Sequence, residues 1–396
     1  MVFVYLDVKI GSVQQGRIVI ELTNDAPLAS KNFFQLCTQG KYKNTLFHRV
    51  IKNFMVQGGD TSVQFNDGDN VNNENDKYPY LNKLGKGGSS IYSNEENLNG
   101  YFKSENLIPI EKSFYVCMSQ MNGCLDSNSS QFFITCEPSP HLNNKYTVVG
   151  MVKYGKSIVR AIERVDVMSN KQSDSVAWIP VESSKVIVEN CGEWKENDDI
   201  PNYIACTDTV GGDIFEEYPD DNDTEKEEFN FENPEISYNI ATIIKGSATI
   251  LLKEKRLDDS LKKYKKALRY CNELLPDDTN NEEWYQKFQE LKKTLFLNIS
   301  LVCLNLTQYK ECIDYCGYIL QMENVELTTV QTTKLFYRLG KAYSGLKKYE
   351  SAMEMLQKGL MVSPDDKIIK TELAAVQKTV SELKKQEKER YTKFFS

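Results

Sequence analysis

One short segment combines a cation with apolar side chains in a pattern that could do chemistry. The segment is FHRVIKNFMVQGGD, from Phe47 to Asp60, and it places Arg49 within an apolar run of strand-forming residues. A guanidinium buried without a partner is unfavourable, so Arg49 is expected to face a functional site. A fixed positive charge of this kind can stabilise electron density that develops in a transition state.

A second segment, MSQMNGCLDSNSSQFFIT, runs from Met118 to Thr135 and mixes amide side chains with aromatic ones. Phe133 alone would fit an ordinary core position. The combined spacing of FHRVI, FMVQGGD and SQFFI is far more specific than a lone glycine motif.

Residues 1–194 have the sequence pattern of a β-rich domain, which could position these segments. VFVYLDVKI and GRIVIEL alternate apolar and polar residues around a turn-like GSVQQG, which predicts a hairpin. A helix is expected to begin at Pro27 and to end at Gly40, and another begins after Gly155. KYTVVGMV and KVIVENCGE predict later strands. Many short strands with two helices predict a closed antiparallel β-barrel capped by helices.

Residues 195–237 differ in composition and contain the acidic stretch GGDIFEEYPDDNDTEKEEFNFENPE. Acidic residues with scattered Pro and Gly predict a solvated, extended linker. The alternative interpretation is a docking arm that acts through its charge.

Residues 238–396 show helical periodicity and internal repetition. LKEKRLDDSLKKYKKAL, LNLTQYKECIDYCGYIL and SGLKKYESAMEMLQKGL are versions of one helix-turn-helix pattern, with repeats near 241–274, 293–326 and 333–366. In the last repeat, tetratricopeptide spacing is followed by Phe336, Leu339, Gly340, Tyr343, Ala352, Leu356 and Pro364. The sequence therefore predicts an all-α tetratricopeptide-repeat domain with a C-terminal capping helix, whose basic end and Phe394–Phe395 pair could alternatively bind a partner.

Composition narrows the classes of function. The net charge of −8 argues against a nucleic-acid or membrane-surface partner for the whole chain. Two histidines and the lack of a zinc-like CxxC pairing predict no metal site, and Cys312 and Cys316 are interpreted as buried thiols rather than a redox or metal pair. Residues 1–10 lack secretory-signal features, and no apolar run reaches about 18 residues. A cytoplasmic setting is expected, and a nuclear pool is compatible with it.

Residues 1–194 resemble the cyclophilin family along nearly their whole length. The resemblance implies peptidyl-prolyl cis-trans isomerase activity on proline-containing polypeptides, with no cofactor. An X–Pro bond rotates over a barrier of about 18–20 kcal/mol because of amide resonance. A guanidinium aimed at the proline nitrogen stabilises the twisted form, in which that nitrogen regains its lone pair.

The resemblance also implies roles for individual residues, carried over by motif position. Arg49 would be the electrostatic residue, and Gln57 would hydrogen-bond the substrate backbone near the rotating bond. Asn122 would pair with the backbone of the residue before proline, and Gln131 would support Arg49 from behind. The proline pocket would be lined by Phe54, Met55, Phe133 and Leu142.

Several positions depart from the family pattern. His141 stands where many cyclophilins carry Trp, which implies weakened cyclosporin binding. Tyr146 replaces a His in the pocket wall, and Met121 replaces an Ala in a way that narrows the neighbouring specificity pocket. Residues 61–84 are longer and richer in Asn than in small cyclophilins and are interpreted as a surface insertion.

The C-terminal half resembles that of the cyclophilin-40 type, whose repeats bind the Glu-Glu-Val-Asp tail of cytosolic heat-shock chaperones. The resemblance implies a carboxylate clamp formed by Lys245, Asn298, Lys334 and Arg338. Thr249 stands where the clamp usually has a second Asn, so one amide donor is missing.

Three functional readings remain open from the sequence. The leading one is an active isomerase that is also a co-chaperone of the ninety-kilodalton heat-shock chaperone. The second is a scaffold or holdase co-chaperone with a weak or inactive pocket, which Tyr146 and Met121 favour. The third is a repeat module for a partner other than a chaperone, which Thr249 favours.

Overall fold

The computed structural model describes residues 1–65, 83–168, 178–196, 198, 208–223, 227–322 and 326–394. The chain divides into two compact units, Met1–Thr207 and Asp208–Ser396, which are described separately below. Most of the predicted insertion, the first part of the predicted linker and Phe395 lie outside the described residues.

The first unit is built on one antiparallel sheet, whose eight described strands follow the order β3-β4-β6-β5-β7-β2-β1-β8. The strands are β1 (Val2–Ile10), β2 (Val13–Leu22), β3 (Arg49–Ile51), β4 (Met55–Gly58), β5 (Tyr115–Gln120), β6 (Asn128–Thr135), β7 (Val148–Tyr154) and β8 (Val186–Trp194). The predicted hairpin is present as β1 and β2, which pair in register from Val2↔Leu22 to Ile10↔Val13.

The two end strands of this sheet are joined through the chain segment that leads into β3. Phe47 N donates to Val186 O at 3.0 Å, and Val188 N donates to Thr45 O at 2.9 Å. Residues 44–47 thus continue the hydrogen bonding from β8 towards β3. The predicted fold, a closed antiparallel β-barrel with helices, is confirmed.

Two helices pack against this sheet, α1 (Pro27–Thr38) and α2 (Lys156–Glu163). Both begin where the sequence predicts, one with Pro27 in its first turn and the other directly after Gly155. Gly155 has φ +88°, and a Cβ there would lie 2.4 Å from Arg17 O, so only glycine fits this turn.

The second unit consists of helical hairpins. Its helices are α3 (Pro234–Lys253), α4 (Leu257–Glu273), α5 (Glu282–Asn305), α6 (Tyr309–Gln321), α7 (Thr329–Gly345), α8 (Tyr349–Val362) and α9 (Lys367–Phe394). Each of the three hairpins turns through a left-handed residue two positions before its second helix, at Lys255, Thr307 and Lys347. This recurrence of an uncommon backbone conformation shows the repetition directly. None of the helices in the described residues is long and apolar enough to cross a membrane.

Close crossing of α7 and α8 depends on a small residue, as the sequence predicts. A Cβ on Gly340 would lie 2.5 Å from Leu356 Cγ. Ala352 is fully buried at the same crossing. The aliphatic side chain of Leu356 therefore fills the space that glycine leaves.

The second part of the predicted linker is neither extended nor solvated, so that prediction is wrong for residues 208–223. Asp213 is 1% exposed, and its carboxylate contacts the buried ammonium groups of Lys263 and Lys266 on α4. Phe215 is buried in the core of the helical unit, and Asn222 Nδ2 donates to Tyr270 Oη at 2.7 Å. The acidic segment is held because α4 presents cations and a buried tyrosine that complement it.

The buried ion group makes the stability of the helical unit depend on Asp213. Removing its charge with Asp213→Asn leaves two buried ammonium groups without that carboxylate, and breaking a buried pair costs about 3–5 kcal/mol. The free energy of unfolding should fall by that order in urea titrations of the full chain followed by circular dichroism at 222 nm.

Asp208→Asn is the matched control, because Asp208 pairs at 2.8 Å with Arg256, whose side chain is 43% exposed. An exposed pair of this kind contributes less than about 1 kcal/mol. Equal urea midpoints for the two variants would contradict a structural role for Asp213.

Candidate active site and recognition surface

The register of three short strands places the predicted active-site residues in one row. Arg49 on β3 pairs with Gln57 on β4, and Gln57 pairs with Phe133 on β6. Because side chains alternate along a strand, these three project from the same face of the sheet. The adjacent row, which includes Val50 and Ile134, projects to the other face and is buried in the main core.

Arg49 is exposed on this face, and the apolar side chains next to it are buried. Met55 is 4% exposed and Phe133 is 5% exposed. No carboxylate in the described part of the chain forms an ion pair with Arg49. The guanidinium is thus available to a ligand that enters the cleft.

A network of amides lies beside Arg49. Gln57 Nε2 donates to Gln131 Oε1 and to Ser119 Oγ, both at 3.1 Å. Gln131 Nε2 in turn donates to Gly87 O at 2.7 Å. The described hydrogen bonds of Gln131 therefore run to Gln57 and Gly87, so it acts on the arginine row through Gln57.

The apolar wall of the cleft is a small cluster separate from the main core. Met55, Phe133 and Leu142 are buried in it, and Phe54 and Tyr146 pack at its edge. Leu142 comes from the short 3-10 turn Pro140–Leu142. Sequence-distant segments thus bring the predicted proline-pocket residues together.

Two aromatic contacts form the rim of this cleft. The rings of Phe54 and His141 lie 5.0 Å apart in a tilted arrangement. The rings of Phe133 and Tyr146 lie 5.2 Å apart, edge to face. Two of the positions that depart from the family pattern, His141 and Tyr146, therefore contact pocket residues directly.

Asn122 lies in the 3-10 turn Met121–Gly123, and its side chain lies outside the described part of the structure. The turn itself is tied down by Ser127, whose Oγ accepts from Met121 N at 2.9 Å. The backbone position of Asn122 next to the end of β5 follows from these bonds.

Ser119, Gly87 and Ser127 were not identified from the sequence, although each holds a site element. Ser119 offered a weak signal, because it stands two residues before Met121 within the amide-bearing segment. Gly87 could not have been found locally, since its carbonyl meets Gln131 across a separation of 44 residues.

His48 lies next to Arg49 in sequence, but its side chain is buried, with 5% exposure. Burial lowers the pKa of His48 to about 4, and the Arg49 charge acts in the same direction against the opposing effect of Asp60. The imidazole is therefore neutral at neutral pH.

The predicted clamp residues lie on the first helices of the three hairpins. Lys245 is on α3, Asn298 on α5, and Lys334 and Arg338 on α7. Helix α5 contacts both α3 and α7, so the three first helices are neighbours. Lys334 is exposed, and Lys245 and Asn298 are half-buried.

Arg338 differs from the other clamp residues because it is only 8% exposed. Its Nη1 donates to Leu297 O and, at 3.1 Å, to Ser300 Oγ. These acceptors flank Asn298 on α5. Arg338 therefore joins the second repeat to the third next to the predicted clamp amide.

Thr249 has its hydroxyl engaged within the first hairpin. Its Oγ1 donates to Lys245 O at 2.9 Å and shares a hydrogen bond of 2.9 Å with Tyr264 Oη. A threonine has a single hydroxyl proton, so this position offers no donor comparable to an amide.

Comparisons with known proteins agree with this architecture. The family model for cyclophilin type peptidyl-prolyl cis-trans isomerases matches residues 5–186, and a tetratricopeptide-repeat model matches residues 333–366. The peptidyl-prolyl cis-trans isomerase CYP7 of Saccharomyces cerevisiae is 36% identical over 415 residues, covering 99% of this chain and 98% of the yeast protein.

Two crystal structures of a Cryptosporidium parvum cyclophilin type peptidyl-prolyl cis-trans isomerase also match, one of them determined with the dipeptide Ala-Pro. Both are 26% identical with a TM-score of 0.38 and cover 49% of this chain. The match covers 99% of the chain with the dipeptide and 98% of the other.

The chain belongs to the cyclophilin family of peptidyl-prolyl cis-trans isomerases, among the members that carry tetratricopeptide repeats. It is an isomerase of X–Pro peptide bonds, and its helical unit is a protein-interaction domain.

The low pKa of His48 makes the first unit sensitive to mild acid. In the unfolded chain the histidine has a pKa near 6.5, so it binds a proton at a higher pH than His48 does in the folded protein. Protonation therefore favours the unfolded state. The contribution of neutral His48 to the free energy of unfolding should be fully present above pH 6.5. It should be lost as the pH drops towards 4, by on the order of 3 kcal/mol.

Urea unfolding between pH 7 and pH 4 measures this dependence. His48→Gln should flatten it, and His141→Gln, which replaces the exposed histidine, is the matched control. A slope that survives in His48→Gln would show that another group causes it.

Proposed function

We propose that Arg49 is the residue that lowers the isomerisation barrier. In the planar amide, the proline nitrogen shares its lone pair with the carbonyl, and in the twisted form it regains that pair. A guanidinium next to the nitrogen favours the twisted form over either planar one. The exposed position of Arg49 on a hydrogen-bonded strand, beside the Met55 and Phe133 wall, supports this role.

The remaining pocket residues fit the needs of a substrate that rotates without forming a covalent bond. Phe54, Met55, Phe133 and Leu142 would hold the proline ring, while Gln57 and Asn122 would bind the flanking backbone. The rim formed by His141 and Tyr146 would admit the substrate, and His141 in place of Trp would weaken cyclosporin binding.

The helical unit, in this proposal, docks the isomerase onto the acidic tail Glu-Glu-Val-Asp of the ninety-kilodalton heat-shock chaperone. One observation carries it: Lys245, Asn298 and Lys334 lie on three neighbouring first helices, and Arg338 is anchored between two of them. Cations distributed in this way match a peptide that ends in a carboxylate and carries acidic side chains. A cytoplasmic location belongs to the same proposal, because these chaperones are cytosolic.

Arg49→Ala tests the catalytic half of the proposal. Loss of a preorganised electrostatic donor lowers kcat by about 10²–10³-fold, so kcat/KM on an Ala-Pro peptide should fall by that order. Arg17→Ala is the matched control. Arg17 on β2 pairs with Asp7 on β1, and neither strand belongs to the row of Arg49, Gln57 and Phe133.

Unchanged activity in Arg49→Ala would refute the assigned role. A parent protein with only a weak rate would instead favour the scaffold or holdase interpretation, which the residue identities Tyr146 and Met121 favour.

Titration with a peptide ending in Glu-Glu-Val-Asp tests the docking half. Lys334→Ala removes a charge-assisted hydrogen bond, which is worth about 1.5–3 kcal/mol, so the Kd should rise tenfold or more. Thr249→Asn restores an amide donor and should lower the Kd several-fold. Calorimetry of the full chain measures both changes.

Lys358→Ala is the control, because Lys358 lies on a second helix, α8, where its exposed side chain pairs with Glu354. Binding that is indifferent to Lys334→Ala would contradict the clamp. Absence of binding in every variant would favour a partner other than a chaperone.

A further inference from the structure

A buried carboxylate lies directly behind the active-site strands. Asp60 follows β4 by two residues and is 1% exposed. Its Oδ1 accepts from Ser62 N at 3.0 Å and from Ser62 Oγ at 2.5 Å. Its Oδ2 accepts from Gly85 N at 2.8 Å and from Gly87 N at 3.3 Å. Donors from four groups thus compensate a charge that would otherwise be unfavourable to bury.

These donors come from both ends of the segment that the sequence marks as an insertion. Ser62 stands at its start, and Gly85 and Gly87 follow its end. Asp60 therefore joins the two ends at one carboxylate. The turn after the insertion is held at the level of the sheet by these bonds.

The turn packs closely against the groups around Asp60. A Cβ on Gly87 would lie 2.2 Å from Ser62 Oγ, and Gly85, at φ +76°, would bring its Cβ to 2.9 Å from the His48 ring. Both glycines are therefore in direct contact with the groups that surround Asp60.

The turn that contains Gly85 and Gly87 orients the amide network of the active site. Gly87 O accepts from Gln131 Nε2 at 2.7 Å, which fixes which end of the Gln131 amide points at Gln57. Gln131 Oε1 then accepts from Gln57 Nε2. If Gly87 O moved away, the Gln131 amide could rotate and present a donor to the Gln57 donor.

We propose that Asp60 is a positioning residue for the isomerase. It holds the Gly87 carbonyl, and through Gln131 it sets the orientation of Gln57 opposite Arg49. This inference rests on the proposed roles of Gln57 and Arg49 and adds a residue that does not touch the substrate.

Asp60→Asn tests the proposal at nearly constant side-chain volume. An asparagine keeps one acceptor oxygen but turns a donor group towards the remaining donors. A single lost hydrogen bond of about 1 kcal/mol corresponds to roughly fivefold, so kcat/KM on an Ala-Pro peptide should fall by about that factor. Asp7→Asn, which removes a carboxylate elsewhere in the same unit, should leave kcat/KM unchanged.

A double-mutant cycle separates positioning from general destabilisation. If Asp60 acts through Gln131, Asp60→Asn should have no further effect on kcat/KM in a Gln131→Ala background. Ser62→Ala, which removes a single donor to Asp60, should give a smaller loss with the same dependence on Gln131. This milder variant decides the question if Asp60→Asn does not fold.

Two results would overturn the inference in distinguishable ways. Equal losses in the parent and Gln131→Ala backgrounds would show that Asp60 only stabilises the fold. Full activity of Gln131→Ala itself would show that the amide network has no role, while the separate Arg49→Ala measurement would still report on the arginine.

Discussion

The register of β3, β4 and β6 is the constraint on which the rest of the first unit depends. With Arg49 opposite Gln57 and Gln57 opposite Phe133, one face of these strands is the site and the other is the core. A slip by one residue would move Arg49 into the core and Val50 into the cleft. Burial of the apolar row therefore fixes the position of the row that contains Arg49, Gln57 and Phe133, and fold stability and site geometry are parts of one arrangement.

Buried carboxylates hold the two segments that look least structured in the sequence. Asp60 joins the ends of the insertion and is satisfied by backbone amides and a serine. Asp213 attaches the acidic segment to the helical unit and is satisfied by Lys263 and Lys266. Each has almost no exposure, so each must be compensated within the protein. A buried charge surrounded by donors can thus fix described residues next to a polar segment to the rest of the fold.

The sequence predicts elements well where the information is local. The β1–β2 hairpin, the helix start at Pro27 and the tight crossing at Gly340 follow from alternation, capping preference and residue size. Residues 208–223 were predicted wrongly because their acidic composition is local, whereas the lysines that bind Asp213 lie 50 and 53 residues away.

The same distinction applies to the site. Arg49, Met55 and Phe133 share a face because the motif spacing already encodes strand alternation. The bonds of Gly87 with Gln131 and Asp60 join positions separated by 44 and 27 residues, and no periodicity connects them. Strand pairing was predictable in type, but the partners of individual polar atoms depend on the completed fold.

The burial of each charge divides the charges into those that bind ligands and those that hold structure. Arg49 and Lys334 are exposed, and both are assigned to ligands in the proposed function. Asp60 and Asp213 are buried with their acceptors engaged, so they act on the protein itself.

Isomerisation forms no covalent bond with the enzyme, so a fixed charge and an apolar wall suffice for it. These two features distinguish poorly between one proline-containing substrate and another. In the proposed function, a docking unit would compensate by raising the local concentration of substrates without any new contact at the active site.

Arg338 has features of both the exposed charges assigned to ligands and the buried charges that hold structure. It is largely buried, yet it lies beside the predicted clamp residue Asn298. Its bonds to the backbone and side chain of α5 mean that part of its charge is already used to fix the spacing of two repeats. A tail peptide would therefore meet a guanidinium whose position is set in advance, which reduces the ordering entropy of binding. Lys334, which is exposed, would contribute electrostatic attraction, whereas Arg338 would fix the geometry. On this reasoning, loss of Arg338 would disturb the predicted clamp residue Asn298 as well as tail binding, because Arg338 Nη1 holds α5, the helix that carries Asn298.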